Sequence, residues 1–179
     1  MGGVDLNKAL DYQEQHPEDQ GGGDINEWRR LLAQGSPIII GGLRGVLKRA
    51  FEAGDLPLPF RGQGHVPAFG SIRPVRRAGR MIPTETIHVI DMGYNVDPTN
   101  TKDVTEALMY LRWYAVKLAA VLQKYLPGFE NAYLIETSHQ LGVRESRRIV
   151  GEYMLTTEDV LGSQMFDDAI ARGGRALDI

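Results

Sequence analysis

The clearest pattern in the sequence is a stripe of apolar residues that recurs every three or four positions between residues 103 and 126. This spacing places the apolar side chains on one face of an α-helix. Asp103 and Glu106 have capping-box spacing, and Pro127 and Gly128 follow as a stop signal. The stripe consists of Val104, Ala107, Leu108, Leu111, Ala115, Leu118 and Leu122. The pattern predicts one long helix whose apolar face packs into a core.

Three shorter helices are predicted in the first third of the chain. Each begins where a side-chain oxygen can accept hydrogen bonds from the first-turn N–H groups. The first two follow Asp5 and Asp24, the third begins at Ser36-Pro37, and their ends lie near Pro17, Gly35 and Gly54. We therefore expect a helical, lid-like subdomain over residues 1–60.

The rest of the chain predicts strands around the long helix. Segments 71–77 and 80–90 are expected to pair, and the two segments 131–138 and 147–155 are also strand-like. Short helical pieces are predicted after Thr156 or Thr157 and over residues 163–172. The predicted fold class is α+β: a mixed or antiparallel sheet from 71–91 and 131–155, packed against the long helix within a domain spanning 61–179.

Composition restricts the function classes. The 179 residues are 42% hydrophobic and 24% charged, which is typical of a soluble globular protein. The net charge of −3 argues against a general nucleic-acid partner, and no apolar run reaches the ~20 residues that cross a membrane. The absence of cysteine excludes disulfides and thiolate ligands, and the four histidines lack metal-ligand spacing. No metal site is expected.

Two motifs suggest anion binding. The run from Ile38 to Gly45 enters glycines as a dinucleotide-binding turn does, but it lacks the G-x-G-x-x-G spacing, so a packed glycine-containing helix is expected. Arginine provides 15 of the 20 basic residues, and Arg144, Arg147 and Arg148 are grouped. The planar guanidinium binds carboxylate or phosphate in a bidentate manner, so this group predicts an anion-binding patch. A structural cluster of ion pairs is the alternative.

Four blocks carry a family resemblance. They are Leu126–Ala132, Gly142–Tyr153, Leu155–Val160 and Phe166–Gly173. In this order they resemble the later part of the FAD-dependent oxidoreductase family, some members of which are labelled xanthan lyases. The resemblance is specific from about residue 100 onward and weaker before it.

The resemblance implies a role on the substrate side of a flavoenzyme. FAD would be bound in the intact protein by a flavin-binding domain of the same polypeptide, and a hydride would pass to it from a small organic substrate, anionic or carbohydrate-related. The chain lacks the nucleotide-binding glycines and ends at Asp178-Ile179, within the family's Asp-Ile-His step. We therefore expect a fragment, the cap region, which alone binds no FAD and has no turnover.

The resemblance also suggests roles for the arginine patch. Arg144 and Arg148 would contact an anionic group of the substrate or the flavin, and Glu145 would pair with Arg147 in support. Glu136, His139 and Tyr153 are the nearby candidates for a catalytic base, and none is assigned. A different class remains open, namely a non-catalytic carbohydrate- or protein-binding module, or a domain related to polysaccharide lyases.

Overall fold

The chain forms two compact units, Met1–Ser146 and Arg147–Ile179. The computed structural model describes residues 1–36, 38–62, 69–72, 74–77, 80–86, 94–143, 146–171 and 173. For the strands between residues 69 and 86 it describes the backbone alone.

Four α-helices make up most of the first unit. They are α1 (Leu6–Gln15), α2 (Ile25–Ala33), α3 (Arg44–Glu52) and α4 (Thr101–Tyr125), with a short 3₁₀ turn at Pro17–Asp19. The Asp5 carboxylate accepts hydrogen bonds from the N–H groups of Asn7 and Lys8 at 3.1 and 3.2 Å, which confirms the predicted cap of α1. Asp24 caps α2 in the same way. The predicted first, second and long helices are thus confirmed.

The start of α4 differs from the prediction. Its N-cap is Asn100, whose side-chain oxygen accepts from the N–H groups of Lys102 and Asp103. The capping box predicted at Asp103 and Glu106 is wrong, because the helix already begins at Thr101. Asp103 instead accepts two hydrogen bonds from the Arg61 guanidinium, at 3.0 and 3.1 Å.

The third predicted helix is also wrong in its first half. Strand β1 (Ile40–Gly42) comes first, Leu43 adopts a left-handed conformation with φ 55°, and α3 follows. Ile38 and Ile40 are buried whereas Ile39 is half exposed, which is the alternation of a strand. The apolar positions therefore follow first the period of a strand and then the period of a helix. The combined pattern resembles a single helix.

The sheet predicted against the long helix is not supported. Within the described ranges the strands form two antiparallel pairs, β1 with β2 (Phe69–Ile72) and β3 (Pro74–Arg77) with β4 (Arg80–Thr86). Among the described residues of 131–155 there is no strand, only a single bridge between Gly2 and Tyr133. The described part of the chain is mostly helical. The predicted pairing of 71–77 with 80–90 is confirmed by β3 and β4, but the larger sheet that would join 71–91 to 131–155 does not form among the described residues.

The second unit contains one helix, α5 (Thr157–Leu161), within its described residues. Thr156 is its N-cap, as predicted, and forms a capping box with Asp159. No helix forms over the described residues of the predicted segment 163–172. Strand-like alternation between 147 and 155 does not lead to a strand because side chains on both faces are exposed.

One hydrophobic core joins the N-terminal helices to α4. Its most deeply buried large side chains include Leu10, Leu47, Tyr114, Leu122 and Phe129. The predicted boundary near residue 60 stays a prediction, although residues on both sides of it contribute to this core. None of the helices in the described ranges is long and apolar enough to cross a membrane.

The core predicts a strong effect of truncation at Leu122. We expect Leu122→Ala to lower the free energy of unfolding by ~2–5 kcal/mol, because it removes buried methyl groups and leaves a cavity. The exposed residue Val116 lies on the same helix, and Val116→Ala should change stability by less than ~0.5 kcal/mol. Urea unfolding followed by circular dichroism measures both variants. Equal effects would show that α4 does not bury this face.

Candidate functional site

Of the predicted arginine patch, the structure describes only Arg147 and Arg148, which begin the second unit. Arg147 and Arg148 are exposed there, and Arg144 and Glu145 lie outside the described residues. The structure therefore does not test whether these four charged residues lie close together. Their predicted roles stay predictions.

Tyr153 is part of a hydrogen-bonded turn before α5. Its hydroxyl donates to Asp159 Oδ2 at 2.7 Å, and the same oxygen accepts from the N–H and the hydroxyl of Thr156 at 2.8 and 2.9 Å. The Tyr153 ring lies 5.3 Å from the ring of Phe166, measured between centroids. We call Tyr153, Thr156 and Asp159 the capping turn.

The capping turn has a consequence for proton transfer. The hydrogen bond to Asp159 raises the pKa of Tyr153 above its usual value, because it stabilises the protonated phenol. Hydrogen bonds from Thr156 and Tyr153 lower the pKa of Asp159. A phenol that stays protonated at neutral pH is a poor general base. The geometry therefore favours a hydrogen-bonding role for Tyr153 over the base role that the sequence left open.

The other two candidate bases lie in the first unit. Glu136 and His139 are both exposed, and the backbone carbonyl of His139 accepts from Arg112 at 3.3 Å. The described residues contain no group of three or more metal-ligating side chains. The roles of Glu136 and His139 as candidate bases therefore stay predictions.

Sequence reasoning missed a buried polar cluster, which we call the Asp19 cluster. It consists of Tyr12, Gln13, Asp19, Gly45 and Arg49. The Tyr12 hydroxyl donates to Asp19 Oδ2 at 2.7 Å and accepts from the Arg49 guanidinium at 2.6 Å. Gly45 N–H donates to Asp19 Oδ1, and the Gln13 amide donates to the Asp19 carbonyl at 2.9 Å.

Burial affects the hydrogen bonding and the pKa values within the Asp19 cluster. Asp19 is fully buried, and Gln13 has a side-chain oxygen without a hydrogen-bond partner among the described residues. Burial raises the pKa of Tyr12, with the hydrogen bond to Asp19 as the next cause. The Tyr12 hydroxyl likewise raises the pKa of Arg49. Tyr12 therefore stays protonated and links the carboxylate to the guanidinium.

The glycine turn that resembles a nucleotide-binding motif lies at this cluster. Strand β1, the turn at Leu43 and helix α3 do form a strand–turn–helix, which is the context such a motif requires. A flavin diphosphate would need the N–H groups at the start of α3. The Asp19 carboxylate already accepts from Gly45 there, and a second anion beside a buried carboxylate is unfavourable. The residues at this turn do not fit an FAD diphosphate.

The sequence contained a partial signal for the Asp19 cluster. Glycines at 42 and 45 are needed because a Cβ at Gly45 would lie 2.7 Å from Asp19 Oδ1, and Gly42 has φ 87° beside the Asp19 backbone. A glycine that leaves room for a neighbouring side chain cannot be distinguished, in the sequence, from a glycine that leaves room for a phosphate. The partner, Asp19, lies 26 residues before Gly45 and could not be identified by spacing.

The capping turn predicts a measurable titration of Tyr153. In Asp159→Asn the pKa of Tyr153 should fall toward that of a free tyrosine, because the carboxylate that holds the proton is gone. In the wild type the hydrogen bond should be lost only above the raised pKa of Tyr153 or below the lowered pKa of Asp159. NMR of tyrosine labelled at the ζ-carbon measures this, with Asp167→Asn as the control. A wild-type Tyr153 that titrates below the usual tyrosine range would contradict the assignment.

Comparisons with known proteins identify the family. The model of the family described as FAD dependent oxidoreductase matches residues 49–179. No curated protein and no solved structure matches the chain. The lyase label that accompanies some family members is not confirmed. The match covers most of the chain and includes all four sequence blocks, so the chain belongs to the FAD dependent oxidoreductase family.

Proposed function

We propose that this chain forms the substrate-side part of an FAD-dependent oxidoreductase that transfers a hydride from a small organic substrate to the flavin. The observation that carries the proposal is the family match over residues 49–179, which includes the arginine patch and the capping turn. The flavin supplies the redox chemistry, and the protein binds and orients the substrate.

The arginines suggest which substrates the enzyme binds. Arg147 and Arg148 are exposed and follow Arg144 in sequence, and exposed arginines bind anionic groups such as a carboxylate or a phosphate. Arginine is suited to this task because its planar fork makes two parallel hydrogen bonds. We infer that the substrate carries at least one negative charge.

The second unit also has exposed apolar side chains, which favour the presence of a partner domain that covers them. Ile149 and Val150 are 93% and 90% exposed, and Met154 and Leu155 are largely exposed as well. Removing such apolar side chains from water is favourable by roughly 25 cal/mol for each Å² of surface that is buried. We propose that a flavin-binding domain of the same polypeptide covers them. The arginine patch would then lie near the flavin.

In this proposal Tyr153 orients a bound group and does not abstract a proton. Its hydroxyl is already committed as a donor to Asp159, and it keeps its proton at neutral pH. The capping turn would keep the end of the arginine segment in place. Substrate specificity would depend on the arginines.

The proposal predicts a charge-dependent Michaelis constant. In the flavin-loaded enzyme that contains this chain, the substrate should reduce the flavin under anaerobic conditions. Arg148→Gln should raise KM for an anionic substrate ~10-fold or more while leaving kcat nearly unchanged, as expected when binding common to ground and transition state is lost. Arg148→Lys, which keeps the charge, should restore part of the affinity.

Arg112 provides the matched control. It is an exposed arginine on α4 that contacts backbone carbonyls, so Arg112→Gln should leave KM unchanged. Loss of thermal stability in Arg148→Gln with an unaltered KM would favour the structural ion-pair reading. An enzyme that contains this chain, carries no flavin and cleaves polysaccharide would overturn the proposal.

A further inference from the structure

We propose that Asp19 is a resident anion that closes the turn Gly41–Gly45 to phosphate, so that no nucleotide diphosphate binds at the start of α3. The inference concerns the first unit and goes beyond the proposed function, since it does not depend on the substrate. It identifies a set of donor groups at the start of α3 that suits an anion, which we call the cradle, and the carboxylate that occupies it.

The first step is the chemistry of the helix terminus. Helix α3 begins at Arg44 and spans nine residues, and its first N–H groups have no partners within the helix. Aligned peptide dipoles give this end a partial positive charge, which attracts anions. A short strand and a glycine-containing turn lead into it. All the general features of a phosphate site are therefore present.

The second step is the occupant. The Asp19 carboxylate accepts from Gly45 N–H with one oxygen and from the Tyr12 hydroxyl with the other, and Arg49 Nη2 lies 3.8 Å from that second oxygen. These are a backbone N–H, a hydroxyl and a guanidinium, the donors that would otherwise bind a phosphate oxygen. Asp19 itself is fully buried. The carboxylate thus has the position and the partners of a bound anion.

The third step is that the backbone around Asp19 is bonded to the turn and so holds the carboxylate at the start of α3. Leu43 N–H donates to the Asp19 carbonyl at 2.8 Å, and Gln20 forms an antiparallel bridge with Gly42. The Gln13 amide adds donations to the carbonyls of Asp19 and Gly41, at 2.9 and 2.7 Å. A Cβ on Gly42 would overlap the backbone of this segment. The backbone of residues 19 and 20 is therefore fixed against the turn, and the Asp19 side chain is the group that reaches the first N–H groups of α3.

The fourth step is energetic. A phosphate could enter only if the carboxylate left, and that would expose the Tyr12 and Arg49 partners and break the backbone contacts of residue 19. The Asp19 side chain is fully buried and hydrogen-bonded to Gly45 and Tyr12, and breaking hydrogen bonds of a buried polar group is unfavourable. A phosphate that entered beside the carboxylate would compete with it for the same donors and be repelled by it. Both routes are unfavourable while the Asp19 carboxylate is in place.

The direct test is a titration of the wild-type chain. Pyrophosphate and FAD are added separately, and the amide resonances of Gly42, Gly45 and Val46 are followed by NMR. We expect no saturable shift at these residues with either compound. A saturable shift centred on Gly45 would overturn the proposal without reference to any variant.

A second test removes the resident anion. In Asp19→Gly the cradle loses its carboxylate, so inorganic phosphate should bind and stabilise the folded chain. At a phosphate concentration about ten times its Kd, the folding equilibrium constant should rise roughly tenfold. That gain corresponds to an increase of about 3–6 °C in Tm for a chain of this size. Asp19→Asn, which keeps the side-chain shape, is the second variant.

The matched control is Asp24, which caps α2, another helix of nine residues. Its carboxylate is bonded to the N–H of Asn26 at 2.8 Å on an exposed surface, away from any buried partner. Asp24→Gly should gain no more stability from phosphate than the wild type. Equal gains for the Asp19 and Asp24 variants would refute a specific cradle at α3. If neither Asp19 variant folds, the wild-type titration decides.

Discussion

The buried carboxylate of Asp19 is the constraint on which the first unit depends. A carboxylate that is removed from water needs hydrogen-bond donors, and these are the Tyr12 hydroxyl in α1 and the Gly45 N–H at the start of α3. The Arg49 guanidinium lies 3.8 Å from the same carboxylate. The carbonyl of the same residue accepts from Leu43 and Gln13. One residue thereby fixes the 3₁₀ turn, strand β1 and two helices relative to each other. The glycines at 42 and 45 follow from this constraint, because any side chain there would displace Asp19.

This constraint separates the appearance of a nucleotide-binding turn from its function. The chain belongs to a flavin-dependent family, and its glycine turn has the strand–turn–helix context of a dinucleotide site. The turn is nevertheless filled by a side chain of the same molecule. The proposed division of labour follows: the flavin is bound elsewhere in the enzyme, and this part of the polypeptide contributes to the substrate side. The exposed arginines and apolar side chains of the second unit agree with that proposal.

Local physical chemistry made part of the structure predictable. The caps at Asp5, Asp24 and Thr156 and the long apolar stripe of α4 were readable because each depends on residues within a few positions of one another. The pairing of 71–77 with 80–90 is confirmed by β3 and β4. The strands predicted over 131–155 were wrong because alternation alone does not supply a pairing partner, and the described side chains of 147–155 are exposed on both faces. The Asp19 cluster was missed because its partners at 45 and 49 lie far along the chain. Tyr153 was placed in the site by resemblance, whereas only the structure revealed its bond to Asp159.

The most direct measurement of the central claim is an experimental structure of the flavin-loaded enzyme that contains this chain. The account predicts that Asp19 stays hydrogen-bonded to Gly45 and that the flavin diphosphate contacts no residue between 41 and 45. It also predicts that the isoalloxazine ring lies on the side of Arg147, Arg148 and Tyr153. A diphosphate hydrogen-bonded to Gly45, with the Asp19 carboxylate displaced, would contradict the account.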